Sequence, residues 1–158
     1  MRSALLAGAL ALIGAPADAQ QTMLDAKTAQ AIVAGCAVHA TARKQSHAIA
    51  VVDVGGHLIA ALKMDRNGSG AMDFSIEKAV AVAAWGFPTA GMAEAATGTP
   101  GFARAPHVVT VAGGVPVWSA DGRTRLGGVG ASGEDPKDDA ACAEAGIRAA
   151  GLRSSRAT

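Results

Sequence analysis

The chain has 158 residues, a formal net charge of +1, three phenylalanines, two tryptophans and no tyrosine. Because it contains no basic run, we do not expect nucleic acid or an anionic membrane surface as a partner. The scarcity of aromatic side chains also removes the stacking platforms on which single-stranded nucleic acid binding depends. The core is therefore predicted to consist of alanine, valine, isoleucine and leucine.

The N-terminal segment over residues 1–19 has the pattern of a secretory signal peptide. Arg2 provides a positive start, residues 5–13 are apolar but too short to span a bilayer, and the sequence ADA directly precedes Gln20. We therefore predict a single mature domain over residues 20–158 that is periplasmic or secreted. The later apolar runs are short, so no membrane association is expected after cleavage.

Apolar periodicity, turn residues and capping residues predict the remaining elements. In chain order these are a helix over residues 23–44, strands over 49–52 and 58–62, helices over 75–85 and 88–96, strands over 107–111, 115–118 and 126–131, and a last helix between Asp135 and Gly151. Short turns make neighbouring strands antiparallel, and the helices can cover both faces of the sheet. The pattern predicts an α+β fold, an α/β/α sandwich on a five-stranded antiparallel sheet.

Two cysteines, Cys36 and Cys142, occur in a chain that we expect to reach an oxidising compartment. A disulfide between them would close a long loop and constrain the unfolded chain. The alternative is two small buried side chains that do not meet, and the sequence favours neither interpretation because it does not give their separation.

The run GVGASG over residues 128–133 fits the pattern G-x-G-x-x-G between a strand and a helix. A dinucleotide site is excluded because Glu134 and Asp135 follow it directly and would repel a pyrophosphate. The glycines are instead expected to let the first or last helix pack closely on the strand. The motifs of zinc sites and of serine hydrolases are absent from the sequence, so no metal site is predicted.

Two side chains are candidates for chemistry. His39 lies three residues after Cys36 on the same predicted helix and could bind haem or a metal ion, although the sequence favours a histidine that touches solvent or a subunit boundary. Lys78 lies in an otherwise apolar helix. It could act as a base or bind an anion if it is buried, whereas the competing interpretation is an ion-paired or snorkelling side chain.

Five motifs in order resemble the GlcG/HbpS family of haem-binding-type proteins. They are VVDVGGHL (residues 51–58), EKAVAVAAWGFPT (77–89), GGVPV (113–117), GGVGASG (127–133) and DDAACAEAGI (138–147). The resemblance implies a profilin-like fold with a five-stranded antiparallel sheet, assembly into homo-oligomers, and haem as the cofactor of the secreted or periplasmic members. It also implies that Thr89, in the sequence FPT, corresponds to the threonine that contacts iron, and that Lys78 corresponds to a recurring lysine.

These observations together predict an exported, oligomeric protein that binds haem or another small molecule through Thr89, His39 and Lys78. No catalytic residue is predicted under this hypothesis. Two alternatives remain: a small-molecule catabolic enzyme of the lyase or isomerase type that uses Lys78, and an accessory subunit of such an enzyme.

Overall fold

The computed structural model describes residues 23–158, and the predicted signal peptide lies outside the described residues. The helices and strands are α1 (Ala26–Ala42), β1 (Ala48–Asp53), β2 (Leu58–Lys63), α2 (Ser69–Trp85), α3 (Thr89–Gly98), a short 3-10 helix (Phe102–Arg104), β3 (Gly114–Trp118), β4 (Arg125–Ser132) and α4 (Pro136–Ala149). Across the described part of the chain, no helix has the length and apolar character needed to cross a membrane.

The sheet has the strand order β2-β1-β4-β3, and all neighbouring strands are antiparallel. The prediction of five strands was wrong: the sheet has four, because residues 107–111 pair with no other strand in the described chain. His107 has a φ of 58°, which is incompatible with an extended strand. Val108 and Val109 pack instead against a buried cluster formed by Ala81 and Val82 of α2 and Met92 of α3. Burial against helices thus replaces strand pairing in this segment.

Helices cover both faces of the sheet, as the sequence predicted for a mixed α+β fold. Alternate residues of β1 point to opposite faces, so Ile49 and Val51 join the core under α1 and α4. Ala50 and Val52 face the other way and pack on α2 with Ala79. The first five side chains of β1 are fully buried and only the last, Asp53, is partly exposed, which explains why this strand has no polar face.

The glycines of β4 bring α2, rather than the first or last helix, onto the sheet. A Cβ on Gly130 would overlap the carbonyl oxygen of Ser75 and approach the backbone nitrogen of Ala79 to 2.7 Å. A Cβ on Gly128 would overlap the carbonyl oxygen of Ala79. The helix therefore lies directly on the strand backbone, and the expectation about which helix uses these glycines was wrong.

A disulfide joins α1 to α4 on the opposite face. It links Cys36 to Cys142, whose Cα atoms are 4.7 Å apart. The two helices approach closely because Gly35 and Gly146 lie at their crossing, where a Cβ on Gly146 would overlap the carbonyl oxygen of Ile32. The covalent link and the small residues fix the two helices as one layer.

Candidate functional site

A buried ion pair connects the two helix layers at one end of the sheet. Lys78 of α2 is 1% exposed, and its Nζ donates hydrogen bonds to Asp139 Oδ2 of α4 and to the carbonyl oxygen of Ala131, each at 2.9 Å. The ring of Phe74 lies below the ammonium group, with its centroid 4.8 Å from Nζ. A cation–π contact thus adds to the pair. Lys78 is therefore ion-paired, which was one of the two interpretations that the sequence left open.

The second carboxylate oxygen of Asp139 is also engaged. His47 Nδ1 donates to Asp139 Oδ1 at 3.0 Å, and the backbone nitrogen of Glu134 donates to the same oxygen at 3.2 Å. His47 is fully buried, and its Nε2 has no hydrogen-bond partner in the described structure. Lys78, Asp139 and His47 form a buried polar cluster in which the Asp139 carboxylate accepts hydrogen bonds from both of the other side chains.

Gly113 makes room for this cluster. Its φ is 125°, and a Cβ there would lie 2.6 Å from Lys78 Nζ and 2.9 Å from Asp139 Cβ. A side chain at this position would therefore occupy the space through which Lys78 reaches across the end of the sheet. The GGVPV motif is thus explained by packing.

Thr89 lies next to the same corner of the sheet. It is fully buried at the start of α3, and its Oγ1 accepts a hydrogen bond from the backbone nitrogen of Gly114 at 3.0 Å. A Cβ on Gly114 would approach both Thr89 Cγ2 and the carbonyl oxygen of Lys78 to 2.6 Å. The structure therefore brings Thr89 and Lys78 together at Gly113–Gly114, where each makes internal contacts.

His39 lies on the other side of the sheet, in α1, and does not converge with Thr89 and Lys78. The residue as a whole is half-buried, but its Nε2 atom is buried and has no hydrogen-bond partner in the described structure. Burial lowers the pKa of His39 below its usual value, and the positive charges of Arg43 and Arg148 lower it further. Its imidazole is thereby held toward the neutral form, which is the form that ligates metals. Within residues 23–158, no group of three metal-ligating side chains is present.

Three of the few aromatic side chains gather beside α3. The rings of Trp85 and Phe102 meet edge to face at 5.0 Å, and those of Phe87 and Phe102 stack at 6.4 Å. Trp85 is 39% exposed and donates from Nε1 to the carbonyl oxygen of Pro106 at 3.0 Å. Sequence reasoning missed this aromatic cluster because its members come from separate elements.

A polar cavity of about 670 Å³ opens at the end of the sheet where β1 begins and β2 and β4 end. Its walls are residues 44–46, 64–67 and 133–134, together with Thr41 at the end of α1. Lys44 and Arg66 in these walls have φ values of 58° and 68°, although neither is a glycine. Such conformations cost free energy and often occur at functional sites. We call this feature the loop cavity.

Ser46 holds the walls of the loop cavity together. Its backbone nitrogen donates to Glu134 Oε1 at 2.8 Å, and its Oγ donates to the carbonyl oxygen of Asp65 at 2.5 Å. Its Oγ also accepts a hydrogen bond from Asn67 Nδ2 at 2.8 Å. Three loops are thereby joined through one side chain and its backbone. The cavity is preorganised by contacts that do not use its positive charges.

A second, apolar depression of about 400 Å³ lies on α1 and is lined by Ala37, Val38, Thr41 and Ala42. Val38 is 70% exposed, so the surface is open to solvent. Thr41 lines both this depression and the loop cavity. We call it the α1 groove. The sequence alone shows apolar residues on more than one side of this helix, with Val38 and Ala42 on a different stripe from Ile32 and Cys36.

A comparison with protein families finds that a model described as haem degrading protein, HbpS-like, matches residues 24–148. No curated protein matches the sequence. The family match spans all of the elements from before α1 into α4.

Solved structures resemble the fold. A double mutant of HbpS from Streptomyces reticuli is 26% identical, with a TM-score of 0.74 over 89% of this chain and 97% of that chain. A crystal structure of HbpS is 24% identical, with a TM-score of 0.74 over 88% and 97% of the two chains. A complex of PduOC with haem is 21% identical, with a TM-score of 0.77 over 85% and 99%. The last two likenesses concern the fold alone.

Proposed function

The chain belongs to the HbpS-like family of haem degrading proteins, and from this premise we propose that it is an exported protein that binds haem. The family resemblance that the sequence motifs indicated is confirmed. The observation that carries the proposal is the match of the family model over residues 24–148, which includes nearly all of the described fold.

The state of Lys78 supports binding without catalysis. A lyase or isomerase that used this amine as a base would need it free and close to a substrate. Its Nζ instead contacts two buried oxygens, those of Asp139 and Ala131, and the side chain is 1% exposed. We therefore assign Lys78 to the stability of the fold rather than to chemistry.

The disulfide supports export. Disulfides form and persist in oxidising compartments and are rare in the cytosol. The bond between Cys36 and Cys142 and the leader over residues 1–19 favour the same compartment by independent routes. We propose a periplasmic or secreted location for the mature protein.

The edge of the sheet supports a homo-oligomer. In the described chain, β2 has a strand neighbour on one side only, and it exposes Leu58 by 51% and Leu62 by 38%. Exposed apolar edge strands favour pairing with another chain. Gel filtration of the mature protein is expected to give a mass above that of one chain, and a stable monomer would contradict this part of the proposal.

Titration of the mature protein with hemin tests the haem proposal. We expect a shifted Soret band that saturates at micromolar hemin, and the absence of a shift would overturn it. The variants Thr89→Ala and His39→Ala then test the two residues for which an iron contact is proposed. Loss of the bound spectrum in one variant assigns the iron ligand, whereas an unchanged spectrum in both rejects both residues.

Haem degradation is a second candidate, and the description of the family favours it. Hemin-loaded protein is incubated with hydrogen peroxide or with ascorbate and oxygen, and the Soret band is followed against free hemin. A faster loss of the band with protein than without it would support degradation. Equal or slower loss would leave binding as the function.

A further inference from the structure

We infer that the loop cavity binds a short peptide by its two free ends, with the terminal carboxylate at Lys44 and Arg66 and the terminal ammonium group at Asp65 and Glu134. The two residues tested above as iron ligands do not line this cavity. The inference therefore goes beyond the proposed haem binding and does not depend on it.

The loop cavity contains the same number of charges of each sign. Lys44 and Arg66 supply two cations, and Asp65 and Glu134 supply two carboxylates. Because the two signs offset each other, a purely anionic or a purely cationic ligand would be attracted by one pair and repelled by the other. A ligand with one charge of each sign is attracted by both pairs. A peptide with free ends is such a ligand, and each end can form charge-assisted hydrogen bonds.

These charged groups are not paired with one another. In the described chain, no ion pair joins Lys44 or Arg66 to a carboxylate, and none involves the side chain of Asp65. Glu134 accepts a hydrogen bond from the backbone nitrogen of Ser46 through Oε1. Its Oε2 is left to accept from an ammonium group. Charges that share a cavity without neutralising each other remain available to a ligand.

A buried hydrogen-bond acceptor in the cavity wall also lacks a donor. Gln45 lines the cavity, and its Oε1 is buried and has no hydrogen-bond partner in the described structure. Buried side-chain oxygens are normally satisfied in folded proteins, so this acceptor indicates a donor from outside the chain. A peptide offers donors in its backbone N–H groups and in its terminal ammonium group, whereas the carboxylate end offers none.

The loops that carry the charges are held in place before a ligand arrives. Lys44 and Arg66 have left-handed backbones, with φ values of 58° and 68°. Ser46 connects their loops to each other and to Glu134 through hydrogen bonds of its backbone nitrogen and its Oγ. A preorganised site loses less conformational entropy on binding, so the free ends of a small ligand can be recognised without closing a lid.

The size of the cavity favours a peptide over a single amino acid. Its volume of about 670 Å³ lies within the range of sites that enclose drug-sized ligands. Met64 lines the cavity and also packs on the core, so it provides a flexible apolar surface between the charged loops. Methionine adapts to partners of different shape. We therefore expect recognition of the peptide ends with little preference for the side chains.

Isothermal titration calorimetry of the mature protein at two temperatures, with related peptides as probes, tests the inference. Trialanine carries both end charges, N-acetyl-trialanine lacks the ammonium group, and trialanine amide lacks the carboxylate. We expect trialanine to bind and each blocked form to bind at least about tenfold more weakly, because each loses the contacts of one end. L-alanine carries both charges but fills little of the cavity, and it should also bind more weakly.

Two pairs of substitutions assign the ends of the peptide. Lys44→Ala with Arg66→Ala should raise the Kd for trialanine about tenfold and remove the difference between trialanine and its amide. Asp65→Asn with Glu134→Gln should instead remove the difference between trialanine and its acetylated form. The glutamine keeps an oxygen that can accept from the backbone nitrogen of Ser46, so the connection between the loops is preserved.

Matched substitutions outside the cavity provide the controls. Gln45→Leu removes the buried acceptor and should weaken trialanine binding, whereas Gln30→Leu at an exposed position of α1 should not. Lys27→Ala with Arg123→Ala removes two positive charges at exposed positions that do not line the cavity, and it should leave the Kd within about twofold. Circular dichroism checks that each variant is folded.

Three results would overturn the inference. The first is no binding of trialanine by the wild-type protein up to millimolar concentration. The second is equal affinity for trialanine and both blocked forms, or cavity variants that behave like their controls. The third is L-alanine binding as tightly as trialanine, which would exclude a peptide as the ligand. Hemin binding without trialanine binding would contradict this inference alone, and trialanine binding without hemin binding would contradict the proposed function alone.

Discussion

Lys78 and Asp139 lie 2.9 Å apart, although they belong to helices that cover opposite faces of the sheet. Both side chains are almost fully buried, so each charge depends on the other for the interactions that water would otherwise provide. We predict that Lys78→Met lowers the free energy of unfolding by about 3–5 kcal/mol, because it leaves the Asp139 carboxylate without its cation. Urea denaturation followed by circular dichroism measures the change.

The double variant Lys78→Met with Asp139→Asn provides the control. Removing both charges avoids an unpaired buried ion, so the double variant should be more stable than the sum of the two single losses predicts. Strict additivity of the two effects would contradict the account of the pair.

The disulfide between Cys36 and Cys142 should contribute strongly to stability. It closes a sequence separation of 106 residues, and constraint of the unfolded chain over such a loop is worth about 4–5 kcal/mol. Replacing both cysteines by alanine should lower the free energy of unfolding by up to this amount, and a reductant should then have no further effect. A variant as stable as the oxidised wild-type protein would refute this estimate.

Gly130 and Gly70 form a matched pair for the packing of α2. Because a Cβ on Gly130 would overlap the Ser75 carbonyl oxygen, Gly130→Ala should lower the free energy of unfolding by about 3 kcal/mol or more. Gly70 lies in α2, and a Cβ added there would have no neighbour within 4 Å in the described chain, so Gly70→Ala should instead raise it by about 0.5–1 kcal/mol. Thermal unfolding of both variants measures the difference, and similar effects would contradict the close contact.

The lowered pKa of His39 predicts a pH dependence of stability. Burial, assisted by Arg43 and Arg148, holds the folded-state pKa below the ordinary value of 6.5. The unfolded chain therefore binds more protons as the pH falls through 6.5, and stability should decrease there. In His39→Gln the decrease between about pH 7 and pH 5 should be smaller, whereas the exposed control His107→Gln should behave like the wild-type protein. Equal pH profiles for all three proteins would exclude this role for His39.

The sequence predicted most of the fold because its helix and strand signals are local. The last helix is the best case: Asp135 accepts from the backbone nitrogen of Lys137, and Pro136 occupies the first turn, as the capping pattern indicated. The strand predicted over residues 107–111 failed because two adjacent valines fit a helix-packed loop as well as a strand. Periodicity over so few residues does not separate the two outcomes.

The candidate site was harder to predict because it depends on contacts between distant residues. Lys78 meets Asp139 across a separation of 61 residues, and the loop cavity joins three loops through Ser46. Capping and turn rules describe neighbours in sequence and do not register such pairs. The sequence shows that Lys44 and Arg66 are charged, but it does not show that the two residues line the same cavity.

Native mass spectrometry of the protein purified from the periplasm of hemin-supplied cells tests the haem proposal most directly. The account predicts the mass of a chain that begins near Gln20 and contains the disulfide, together with bound haem and a Soret band in the same preparation. A colourless protein with no haem mass, which also fails to take up hemin when it is added, would contradict it.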